Sequence, residues 1–153
     1  MLLKNKIAVI YGAGGAIGGP AHGPESIGRD HDRYRAPLAD RRPLVGGYGP
    51  AMATKEALTR NLSAELAPHG IRVVGLRPQA MPETETIKEA FQPRAMASVM
   101  TWEQWQQMLA SRTHPRRLMT LSEMASVAVF MASDQATGMT GTTVNLTMGS
   151  LDD

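Results

Sequence analysis

An α/β fold with a parallel sheet is what this 153-residue sequence predicts, and three observations carry it. A run of strong helix formers from Ala51 to Ala67 leads through Pro68-His69-Gly70 into the apolar, β-branched stretch Ile71-Arg72-Val73-Val74-Gly75-Leu76. A short apolar run, Lys6 to Tyr11, opens straight into the glycine-rich turn Gly12 to Gly18. Near the other end, a helical pattern from Thr120 is followed by Gly141-Thr142-Thr143-Val144-Asn145-Leu146. A helix that feeds a short buried strand is half of a βαβ unit, and such units build parallel sheets. The expected strands lie near 5–11, 71–77 and 142–147, and the expected helices near 50–67, 101–110 and 120–132.

The first strand ends in Gly12-Ala13-Gly14-Gly15-Ala16-Ile17-Gly18. A stretch without side chains lets a pyrophosphate approach backbone N–H groups at a helix start. The usual dinucleotide fingerprint needs glycines at 12, 14 and 17, but position 17 is Ile17. The pattern Gly-x-x-x-Gly-x-Gly fits better, with Ala16 in its middle slot. A glycine-rich turn alone is a weak signal, and a plain flexible turn is the alternative reading.

Residues 19–43 break the pattern. Pro20, Pro24, Pro37 and Pro43, with Gly19 and Gly23, oppose the helix that a phosphate loop requires after it. Arginines at 29, 33, 35, 41 and 42 interleave with aspartates at 30, 32 and 40, and no apolar period is present. The segment reads as an irregular linker. Asp30-His31-Asp32 with His22 has metal-ligand types, but a charged linker lacks the preorganisation of a metal site, so no metal is expected. The interleaved aspartates cancel the arginines as a nucleic-acid surface.

The central stretch follows. Pro50 suits a first helical turn, where its missing N–H has no partner to lose. Ala51, Leu58, Leu62 and Leu66 predict one apolar stripe, and Glu56 with Arg60 a surface ion pair. Pro68-His69-Gly70 ends the helix. Thr84 has the character of an N-cap for a short helix through Ala90. Thr101-Trp102-Glu103-Gln104 and Thr120-Leu121-Ser122-Glu123 are capping boxes that open two further helices. Trp102 and Trp105 stand open between lining an apolar pocket and packing on a helix face.

Apolar residues make up 42% and charged residues 20% of the chain, the balance of a soluble globular domain. A net charge of +2 gives no ground for a nucleic-acid or membrane partner. The absence of cysteine excludes disulfides and thiolate metal sites. With no secretory signal and no span of twenty apolar residues, the cytoplasm is the expected compartment.

The run KEALTRNLSAELAPHGIRVVGLRP, the glycine-rich turn, and LSEMASVAVFMASDQATGMTGTTVNL together resemble the short-chain dehydrogenases/reductases. The resemblance covers residues 4–18 and 44–149 and leaves out the middle. It implies a Rossmann-like fold lacking central strands, a three-layer αβα remnant. Residues 1–18, the linker 19–43 and the C-terminal part 44–153 then form one incomplete domain. It also implies NAD or NADP as cofactor, contacted by Gly12, Gly14, Gly15, Ala16, Ile17 and Gly18, with a small carbonyl or alcohol as substrate. Lys55 matches the lysine of the family's Tyr-x-x-x-Lys pair, which serves both cofactor binding and catalysis. The tyrosine position holds Ala51, and no serine stands at residues 36–41. Tyr48 is the nearby phenol and the candidate displaced acid. Arg77 to Thr84 resembles the family's Pro-Gly segment beside the nicotinamide. Gln79 replaces the glycine, and Thr84, one place late, is a candidate cofactor contact. Chemistry is therefore expected to be impaired, with a non-catalytic remnant or a binding or self-association module as the alternative. Unpaired sheet edges imply a homo-oligomer. A strand written as Gly-Val-Ile-Met-Thr-Val in one reading frame can spell Arg-Asp-His-Asp-Arg, residues 29–33, in another, so residues 19–43 have the character of a shifted frame after an internal deletion.

Overall fold

The structure is a computed structural model and describes residue 4, residues 6–8 and residues 48–150. The glycine-rich turn and the 19–43 linker lie outside the described residues. Of the first expected strand, residues 6–8 are described and are not in a strand.

The first helix, α1, spans Tyr48–Leu66. It tightens into a 3-10 turn, Ala67–His69, and stops where Gly70 turns left-handed at φ +71. The Gly70 N–H donates to Ala67 O at 2.9 Å, which closes the helix end as the Pro-His-Gly sequence predicts. Strand β1 is Val74–Pro78 and strand β2 is Thr142–Leu146. They pair in parallel, with Val74 opposite Thr142 and Pro78 opposite Leu146.

β1 begins three residues later than the apolar run at 71 implies. Its partner β2 starts only after Gly141, whose φ is +66, so residues 71–73 face a turn rather than a strand. Val73 is held there by two bonds, its N–H donating to Thr140 Oγ1 at 3.1 Å and its carbonyl accepting from Gly141 N–H at 2.8 Å. The Arg72 guanidinium reaches across the end of the last helix and donates to the carbonyls of Ser133, Ala136 and Met139 at 3.0 to 3.2 Å. Arg72 thus ties down the segment after that helix by bonding three of its carbonyls, two of which also accept backbone N–H groups.

Helix α2, Glu85–Ala97, runs past the expected end at Ala90 and carries Pro93 inside it. The packed face of the helix continues past the proline, with Ala95 buried against Trp105 and Leu109. Helices α3, Trp102–Ser111, and α4, Leu121–Ala132, start at their predicted capping boxes, Thr101 with Gln104 and Thr120 with Glu123. In both, the threonine accepts the third-residue N–H while that residue's side chain accepts the cap's own N–H.

Two apolar clusters hold these elements. Met81, Met119 and Met124 form one, with Leu76 and Leu146 of the sheet and Ala128 of α4 packed on it. Ala95, Trp105 and Leu109 form the other, with Phe91, Trp102 and Leu118 around it. Successive strand residues point to opposite faces. Leu76 faces the α4 side, and Arg77 faces α1, where its Nη1 lies 3.4 Å from Glu56 Oε1. The sheet is therefore covered on both faces, an αβα remnant with two described strands.

The face α1 turns to the sheet differs from the expected stripe. Among the described residues Ser63 is the buried one; Ala51, Leu62 and Leu66 of the stripe are half-buried, while Leu58 is 51% exposed. Glu56 and Ser63, seven apart, lie on one face of a 3.6-residue helix, and Leu58 stands roughly 200° of rotation from Glu56. The ion pair expected between Glu56 and Arg60 gives way to Glu56 with Arg77, because the sheet lies on that side.

Candidate functional site

The helix α1 runs antiparallel to the strands. Its Ser63 bonds Thr140, just before β2 begins, and its Glu56 meets Arg77, near the end of β1. The amino-terminal half of α1 thus stands at the carboxyl ends of the strands, the end where open α/β sheets bind ligands. Lys55 is there, exposed to solvent, with the half-buried Ala51 one turn before it. Alanine has no proton to give or take. Tyr48 opens α1, but its side chain lies outside the described residues, as do Gly12, Gly14, Gly15, Ala16, Ile17 and Gly18.

Thr84 is only 3% exposed and caps α2. Its hydroxyl donates to Met81 O at 3.0 Å and accepts Ile87 N–H at 3.3 Å. Of its two sequence readings, the cap is the one these bonds build. Trp102 and Trp105 belong to the α2–α3 core cluster, and Trp105 stands 6.4 Å from Phe91, centroid to centroid. Packing accounts for both.

Sequence reasoning missed three polar contacts around the same end of the sheet. The Gln79 side chain bonds Ser150 Oγ at 2.7 Å and Ala80 N–H at 3.0 Å. Glu83 Oε2 accepts the Leu121 N–H at 3.0 Å, a cap on α4 supplied from 38 residues away. The backbone N–H of His114 donates to Met148 O at 2.9 Å, and its ring lies over Gly149. No local motif marks the bonds of Gln79 to Ser150, Glu83 to Leu121 or His114 to Met148, since each joins segments distant in sequence.

The strongest local electrostatics lie at the start of α4. Arg117 grips Glu123 through two bonds, of 2.9 and 2.6 Å. With that hydrogen bond first and the Thr120 backbone N–H second, the Glu123 carboxyl is lowered to about 2. This pair is a helix cap rather than an acid–base device. Among the described residues no group of three or more His, Asp or Glu could hold a metal ion, and no helix is long and apolar enough to cross a membrane.

The family model described as enoyl-(acyl carrier protein) reductase matches residues 41–150. The chain belongs to the short-chain dehydrogenase/reductase family. Within that family, it is 34% identical over 103 residues to (+)-borneol dehydrogenase 2 of Salvia officinalis, covering 63% of this chain and 36% of that protein. Sorbitol-6-phosphate 2-dehydrogenase of Erwinia amylovora superposes with a TM-score of 0.64 at 25% identity, over 70% of this chain and 42% of that one. Actinorhodin polyketide ketoreductase, solved with NADPH, superposes equally well at 0.64 with 19% identity and shares the fold, over 74% of this chain and 44% of its own. The chain therefore spans less than half the length of these reductase-family proteins. The sheet and helices described above are the part that superposes on the two solved structures.

Proposed function

We propose that this chain carries the nicotinamide end of an NAD(P)-dependent oxidoreductase of small carbonyl or alcohol substrates, and that alone it is catalytically impaired. One observation carries the reading. Lys55 sits exposed at the carboxyl end of the sheet, on the helix where the family places its lysine, while Ala51 stands where the paired tyrosine belongs. A positioned general acid contributes about a hundred- to ten-thousand-fold, and alanine supplies none of it. The cofactor read here is NAD or NADP, through Gly12 to Gly18 and Lys55. Thr84, which caps α2, is kept as a candidate cofactor contact beside them. We place the protein in the cytoplasm, and we read it as a homo-oligomer because the two described strands leave edges to be covered.

The test is titration of the purified chain with NADH and NADPH, followed by turnover assays with generic aldehydes and ketones. Cofactor binding weakened by Lys55→Ala, without measurable hydride transfer, is the expected result. Turnover lost in Lys55→Ala would show a working site and overturn the impairment. No binding of either cofactor would leave a non-catalytic remnant.

A further inference from the structure

Past the end of β1 the chain keeps one more sheet bond, with Gln79 N–H donating to Leu146 O at 3.2 Å. The Gln79 side chain then folds back. Its Oε1 accepts Ala80 N–H at 3.0 Å, and its Nε2 donates to Ser150 Oγ at 2.7 Å. A backbone N–H can only donate, so the amide oxygen must face Ala80 and the amide nitrogen must face Ser150. Ser150 is presented by a turn with two successive left-handed residues, Met148 at φ +56 and Gly149 at φ +80. His114 pins that turn, because a Cβ added to Gly149 would meet the imidazole Nδ1 at 2.4 Å. The result is a primary carboxamide held by a donor and an acceptor at the carboxyl end of a parallel sheet, the ligand-binding end of such folds.

The geometry points to Gln79 as an autoinhibitory stand-in, whose carboxamide fills the place of a ligand carboxamide, that of nicotinamide. Nicotinamide carries the same planar CONH2 group, so Ala80 N–H and Ser150 Oγ would serve it in the same way. A tethered group beside its partners competes at high effective concentration, and an incoming amide meets a filled site. The inference rests on the cofactor reading above and deepens it, by naming the group that opposes the nicotinamide.

The test compares binding of NADH and of ADP-ribose, which has no carboxamide, to the parent chain, Gln79→Ala and Ser150→Ala. Removing the plug frees two hydrogen-bonding groups, so Gln79→Ala should bind NADH on the order of tenfold tighter. Ser150→Ala removes an acceptor that the plug and the ligand share, so it should show no gain, and ADP-ribose should bind all three alike. Should Gln79→Ala lose its cooperative unfolding, Gln79→Ser, whose side chain is too short to reach Ser150, decides in its place. Equal NADH affinities of the Gln79 variant and the parent, or a gain shared by ADP-ribose, overturn the plug while the cofactor reading stands. If neither ligand binds any of the three, both fall.

Discussion

The Ser63 hydroxyl lies 2.7 Å from the Thr140 hydroxyl, and this pair, 77 residues apart in sequence, fixes which face of α1 meets the sheet. Thr140 Oγ1 also accepts the Val73 N–H at 3.1 Å, so one hydroxyl joins the helix, the approach to β1 and the approach to β2. Ser63 is buried and Thr140 exposed, so losing Thr140 strands a buried hydroxyl, while losing Ser63 leaves Thr140 to water. Ser63→Ala should cost about 1 kcal/mol, and Thr140→Val, which also orphans Val73, about 2 kcal/mol. Urea unfolding with an unchanged slope would measure both. Equal and negligible losses would mean α1 is held by other contacts.

Acid sensitivity should centre on α4. Glu123 is depressed to about 2, with the Arg117 bond as first cause. A carboxylate lowered in the folded state adds stability above its unfolded value, about 4.3, and loses it as pH falls through its folded one. The unfolding midpoint of the parent should therefore drop between about pH 4.3 and pH 2. Glu123→Gln should be less stable at neutral pH and flatter across that window. Parallel curves for the two proteins would count against it.

Val99 closes α2 in a left-handed conformation, φ +56, with its side chain 94% exposed. The side chain gains little burial there and carries the steric cost of a β-branched residue at positive φ. Glycine at that position has no such cost. Val99→Gly should stabilise by about 0.5 to 1 kcal/mol, after its greater unfolded-state entropy is counted. At Gly70, φ +71, the reverse change Gly70→Ala should destabilise by roughly 1 kcal/mol. Thermal melts of both variants give the check.

Restoring the family's phenol should not be sufficient. Ala51→Tyr places an acid one turn before Lys55, yet the prolines and glycines at 19 to 24 oppose the helix that a pyrophosphate loop needs. NADH oxidation with a generic carbonyl should stay at background in this variant. A measurable rate would show that weak cofactor binding does not limit the chain and that the phenol alone was missing.

What the sequence determined by itself is the part of the fold governed by near neighbours. Thr101 with Gln104 and Thr120 with Glu123 start their helices because each cap needs only residues three apart. Gly70 ends α1 because glycine alone enters the left-handed region freely. The match of Lys55 and the vacancy at Ala51 were legible for the same reason, as spacing along one helix. Tertiary structure decided the rest. Leu58 satisfies the helical period as well as any core residue, but the sheet's polar neighbours, Arg77 and Thr140, drew Glu56 and Ser63 inward and left it exposed. β1 begins at Val74 because its partner starts only after Gly141, and α2 passes Pro93 with Ala95 buried against α3. The bond from Gln79 to Ser150 spans 71 residues. It arises because parallel pairing sets the exits of β1 and β2 side by side, and local spacing carries no trace of that.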